Sequence, residues 1–435
     1  MPKPEPTVPK KLKRPRGLLA SRKAGESSTE PEPASKKARA EGSQNPNQVK
    51  FEDWQDLEEL FENALDALYG SNWTSAIPLV RGVLHECTRL VSVHKDPTTI
   101  YSPLDRGDKG KDVNGTPASA FYTIYASAWF LMSTFARNDA SLLAQGEPTE
   151  PSEYILSSLA ACEKGQEALE ARKQPKAWDL ELTWGRALVS AAQSLVNPED
   201  DAQATTADQN EIAGARARYT GPNASTALDR AFEHLSYATK HRPTGLTNDE
   251  TEQERGTRDE RFTRVLLETT QEMLAITEQL QEITEFSENV SHLDNARTLF
   301  VEVEQFSNVP AETRTQAIFG AAQAGLAIGS AMAERLEDEE QDSDVEETKG
   351  SSALRKSAIR NLKEVIERFD MVREMSSAKE NHKGSPIDDD EIKPLLQEAL
   401  VTLATLLPEG SEQEAMYARY RDEDGALEED SDNEE

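Results

Sequence analysis

"WQDLEELFENALDALYGSNWTSAIPLVRGVLHECTRL", residues 54–90, decides the fold. Trp54, Leu57, Phe61, Ala64, Leu65 and Leu68 recur at spacings of three and four, the apolar stripe of one helix. Gly70 and "SNWT" interrupt it as a turn. Ile77, Val80, Val83, Leu84, Cys87 and Leu90 then mark a second stripe, with Pro78 in the first turn, where a missing N–H does no harm. Two helices joined by so short a turn make an antiparallel hairpin.

The same alternation runs on down the chain. Helices are predicted at 118–136 and 152–170, then at 177–195 and 225–240, then at 259–280 and 292–306. A further pair is predicted at 311–336 and 352–372, and a last helix near 390–407 with an extension toward Tyr420. Polar insertions separate them at 95–117, 137–151, 197–224, 241–258, 337–351 and 373–389. No stretch has the two-residue alternation of a strand. An isolated helix of this length is marginal in water, so each hairpin must bury its stripe on its neighbours. The expected fold class is therefore all-α, an α-solenoid of antiparallel helix pairs. Ala231, Leu235 and Ala238 have the second-helix spacing of a tetratricopeptide unit, and the pair-to-pair interval is longer than in that repeat because of the insertions.

One fragment imitates chemistry. His85-Glu86-Cys87-Thr88-Arg89 begins like the H-E-x-x-H zinc helix, but Arg stands where the second His belongs. Cys87 lies on the apolar stripe, where a thiol packs as a small hydrophobe. His94, His234, His241, His292 and His382 form no ligand cluster in the sequence, and the phosphate-loop, nucleophile-elbow and dinucleotide motifs are missing. No catalytic, cofactor-binding or metal-binding residue is predicted. Trp54, Trp73, Trp129, Trp178 and Trp184 read as core. Arg81, Glu86, Glu181 and Arg186 interrupt helix faces and are candidates for a concave groove or for a solvated surface.

The 435 residues carry a net charge of −32, with 36% hydrophobic and 6% aromatic residues, which favours a thin two-layer structure over a thick core. The first forty residues hold eleven Lys/Arg against four Glu, a local +7, so the remainder carries −39. Such a body repels phosphate backbones and attracts basic surfaces. No apolar run is long enough for a membrane span, and the N-terminus has no apolar signal region, so the chain is expected to stay inside the cell. Cys87 and Cys162 fit a reducing compartment. The Asn-x-Ser/Thr sequences at Asn72, Asn114, Asn223 and Asn289 are then expected to be coincidental.

Residues 1–48 are expected to be a disordered basic tail. Lys10, Lys11, Lys13, Arg14, Arg16, Arg22, Lys23, Lys36, Lys37 and Arg39 form its clusters, which read as nuclear-import signals, with weak RNA contact or a solvated tail without a reader as the alternatives. Residues 49–408 form the helical-repeat domain, with an acidic insertion at 337–351, and 409–435 form an acidic tail. Ser343 and Ser431 each precede an acidic residue by three positions and are phosphosite candidates, with a merely solvating acidic segment as the equal alternative.

"KRPRGLLASRK" (13–23), "LEELFENALDAL" (57–68), "AIPLVRGVLHEC" (76–87), "FYTIYASAWF" (121–130) and "LELTWGRAL" (180–188) together resemble the fungal enhancer of translation termination family. The resemblance implies a nuclear, tetratricopeptide-like protein without enzymatic activity that supports correct stop-codon recognition. It also implies a partner, a 2-oxoglutarate- and iron-dependent prolyl-hydroxylase-type oxygenase, through which hypoxic gene expression is influenced. The iron would belong to that partner, so no cofactor is expected on this chain. A nuclear import receptor and an indirect link to the termination machinery complete the expected partners.

Overall fold

A computed structural model describes residues 46–70, 72–101, 116–197, 214, 216–246, 250–281, 283–341, 349–377 and 387–423. Every element among them is helical. The first pair is α1 (Pro46–Tyr69) and α2 (Trp73–Val93), and the second is α3 (Ala120–Asn138) and α4 (Pro151–Ala171). There follow α5 (Trp178–Val196) with α6 (Ala224–His241), and α7 (Glu252–Leu280) with α8 (Phe286–Gln305). The series ends with α9 (Ala311–Gln341) and α10 (Lys349–Ser377), then α11 (Asp389–Leu406) and α12 (Ser411–Asp422). Successive first helices begin 58 to 78 residues apart, wider than a tetratricopeptide unit because of the insertions.

Local chemistry sets the boundaries. The Asn72 side chain accepts from the Ser75 amide at 3.2 Å and the Asn223 side chain from that of Thr226 at 2.9 Å, so two of the glycosylation-like asparagines are helix caps. Asn289 is buried, and Asn114 lies outside the described residues. Thr251 and Glu254 form a reciprocal capping box that starts α7 at residue 252. The apolar periodicity predicts a start at 259, because the first two turns of α7 are polar and only the cap marks them. Residues 216–220, expected to lie in an insertion, are also helical.

The stretch beyond 408 requires a correction. Residues read as an extension of the last helix and as acidic tail instead form α12, broken from α11 at Pro408-Glu409-Gly410. Proline and glycine end α11, and Met416 and Tyr420 pack against its core. Arg419 Nη2 meets Asp370 at 2.5 Å and Arg373 Nη1 meets Glu423 at 2.7 Å, while Lys363 pairs with Glu412. The acidic stretch 337–351 is likewise partly helical, since α9 runs to Gln341 and α10 begins at Lys349. The basic-cluster residues 10–39, Ser343 and Ser431 lie outside the described residues.

The expected partners within each hairpin pack together, and each odd-numbered helix also packs on the next odd-numbered one. Among the even-numbered helices, only α6 and α8 make a comparable contact. In a curved two-layer stack the closely spaced layer lies on the inside, so α1, α3, α5, α7, α9 and α11 form the concave face. The apolar seam is divided into clusters. One covers α1 to α4, a larger one runs from α3 to α9, and a third spans α9 to α12. A smaller cluster around Cys162 and Leu180 joins α3, α4 and α5.

Candidate partner-binding recess

Arg261 on α7 reaches back to α1. Its Nη1 lies 2.6 Å from Glu62 and its Nη2 2.5 Å from Asp66. Three interaxial spacings in a straight layer would separate α1 from α7 by about 25 Å. The odd layer therefore curls until side chains of its first and fourth helices meet. Between them lies a recess floored by α3 and α5.

Each wall contributes one helix face. On α1, Glu58, Glu62, Asp66 and Tyr69 follow the helical repeat. On α7, Arg261, Arg264, Glu268 and Glu272 do the same. Arg261 and Arg264 stand over the Tyr69 ring at 5.7 and 5.3 Å, within the range of cation–π attraction. Arg264 also pairs with Glu268 at 2.9 Å. Burial pushes the Tyr69 hydroxyl up, and Arg186 on the floor opposes it.

The floor is cationic. Arg186 on α5 lies over the Phe130 ring of α3 at 4.4 Å, and the Arg137 guanidinium donates to Ser190 Oγ at 2.9 Å. Both act on Glu272, whose carboxyl is raised above its ordinary range by loss of bulk solvent, with Arg137 and then Arg186 pulling it back. Glu272 is open to water, so it stands in a recess, not in the core.

Of the four polar residues singled out in the sequence, only Arg186 belongs here. Arg81 clamps the α3–α4 connection, bonding Glu147 at 2.6 Å and the Leu142 carbonyl at 2.8 Å. Glu86 forks onto Arg89, which also holds Asp53. Glu181 is fully buried, bonded to His234 Nδ1 at 2.6 Å, and His234 stacks on Trp184 at 4.5 Å. These three contacts fix connections and hairpins.

Cys87 and Cys162 are wholly buried, and burial pushes both thiols far up, which removes thiolate chemistry. No group of metal-ligating side chains occurs among the described residues. One polar knot has the composition of a hydrolase triad. Ser225 Oγ lies 2.6 Å from His292 Nε2, and His292 Nδ1 lies 3.4 Å from Asp229 Oδ1. Ser225 is 3% and His292 1% exposed, so no substrate reaches the hydroxyl, which also bonds Glu288. This knot ties α6 to α8, the even-numbered pair in close contact. No described helix is long and apolar enough to cross a membrane.

No known protein-family profile matches the chain, and no curated protein does. Among solved structures, it is similar to Nro1, described as a hypoxic regulator of sterol synthesis and a nuclear import adaptor. That likeness has 14% identity and a TM-score of 0.55, over 86% of this chain and 87% of that one. A second structure of Nro1, from S. pombe, aligns with 15% identity and a TM-score of 0.48, over 84% of this chain and 96% of the other. The first alignment, covering most of both chains at low identity, shows a shared fold.

Proposed function

We propose that the chain is a nuclear helical-repeat adaptor that engages a 2-oxoglutarate/iron-dependent prolyl-hydroxylase-type oxygenase through its concave recess, and through that partner regulates hypoxic gene expression. The observation that carries this reading is the curled odd layer, which exposes charged side chains from four helices in a fold shared with an import adaptor. A recess built on rigid helices supplies fixed side-chain positions for specificity, and the −39 body speeds encounter with basic surfaces. The chain performs no chemistry of its own in this reading.

The basic clusters between Lys10 and Arg39 act as the address read by an import receptor, so adaptor and cargo enter the nucleus together. Phosphorylation of Ser343 or Ser431 would deepen the acidic field beside the body. The contribution to correct translation termination rests on the sequence resemblance and acts indirectly.

Pull-down of such an oxygenase by the full chain and by a chain lacking residues 1–48 tests the proposal. The body alone should retain the oxygenase, and a fluorescent fusion without the tail should leave the nucleus. If instead only RNA or ribosomes co-purify, are released by the truncation and weaken steeply with salt, the chain is an RNA-associated termination factor acting through its tail.

A further inference from the structure

The floor of the recess holds cations that the fold does not use. Within the recess Arg261 is taken up by Glu62 and Asp66, and Arg264 by Glu268. Arg137 and Arg186 have no carboxylate at ion-pair distance among the described residues; Arg137 bonds only Ser190, through its hydroxyl and carbonyl. Arg186 makes no hydrogen bond there at all, and its Nε is sealed from solvent without an acceptor. An arginine carries five donors in a planar fork, and a buried donor left unpaired is destabilising. The Phe130 ring, 4.4 Å from the guanidinium carbon, holds this fork in position before anything binds. Arg137 is fixed in turn by Ser190, one helical turn beyond Arg186 on α5. Glu272 is close enough to feel both cations without bonding either.

We infer that Arg186 and Arg137 form a receptor for a carboxylate side chain, presented by a segment of the protein partner that enters the recess. This rests on reading the recess as the partner face, and it adds the chemistry that the partner must bring: one Asp or Glu at the tip of an inserted segment. A highly acidic partner surface would be repelled by the body, so the match is a single carboxylate reaching two local cations. An Arg–carboxylate pair in such a recess is charge-assisted and can be bidentate.

The probe is a short end-blocked Gly/Ser peptide carrying one central Glu, with its Lys counterpart and an RNA oligonucleotide as comparisons, titrated into the full chain carrying ¹⁵N-arginine. The Glu peptide should shift the Arg186 Nε–H signal saturably, and the Lys peptide should leave it in place. Arg186→Gln and Arg137→Gln should each weaken Glu-peptide binding by tenfold or more, while Arg230→Gln on α6 leaves it unchanged. An unmoved Arg186 signal in the unmutated chain, equal affinity in Arg186→Gln, or a response to RNA at lower concentration than to the Glu peptide would overturn the inference. Oxygenase capture separates the two proposals. If unmutated body and Arg186→Gln capture the oxygenase equally, the carboxylate receptor is wrong and the partner face stands. If neither captures it while the Glu peptide still shifts Arg186, the assignment of partner is what fails.

Discussion

Arg261 and Glu62 are 199 residues apart in sequence and bonded at 2.6 Å in the fold. Their contact closes the curl of the odd helices, and Asp66 doubles it.

Replacing Arg261 by Ala should change shape more than stability. Glu62 and Asp66 are 59% and 70% exposed, and exposed pairs contribute about 0.2–1 kcal/mol each. The melting temperature should therefore fall little, while the radius of gyration from small-angle scattering rises as α1 swings from α7. A large loss of stability with unchanged dimensions would assign Arg261 to the core instead.

Close helix approach should be intolerant of side chains at Gly185. A Cβ there would sit 2.6 Å from Leu235 Cγ and 3.2 Å from the Ala231 carbonyl. Overpacking costs about 1–3 kcal/mol, more than the fraction of a kcal/mol that valine gains over glycine in helix propensity. Gly185→Val should accordingly lower stability by about 1–3 kcal/mol in urea unfolding, with α5 and α6 losing amide protection first.

Glu58 should impose a pH dependence of its own. Loss of bulk solvent, then the neighbouring Glu62, raises its carboxyl from the ordinary 4.5 to about 7. Between those values the native chain holds a proton that the unfolded chain has released, so this group's contribution to stability falls as pH rises from about 4.5 to 7. Glu58→Gln should flatten that slope and raise stability at pH 8 relative to pH 5, read from parallel unfolding curves. An unchanged slope would show that the carboxyl titrates like a free one.

The hairpins were legible because burial writes itself locally. Ala231, Leu235 and Ala238 are all fully buried, as their spacing implied. α12 was read only as an extension and a tail because "SEQEAMYARYRD" offers few apolar residues and relies on ion pairs to α10. Glu181 was open to either reading until His234, from the next helix, covered it. The recess was the least legible part. Arg186 was noticed as a polar exception, but nothing near Glu62 or Arg261 in the sequence announces a bond between helices three hairpins apart.

Covalent bridging of α1 to α7 probes the curl most directly. In a chain carrying Asp66→Cys and Arg264→Cys, Glu62 still holds Arg261, and the native Cys87 and Cys162 are too buried to react. A short bifunctional maleimide should join the two introduced thiols within one molecule, giving a single bridged monomer by mass spectrometry. If both thiols are instead modified separately with no bridge, as a straight layer with about 25 Å between these helices requires, the recess does not exist.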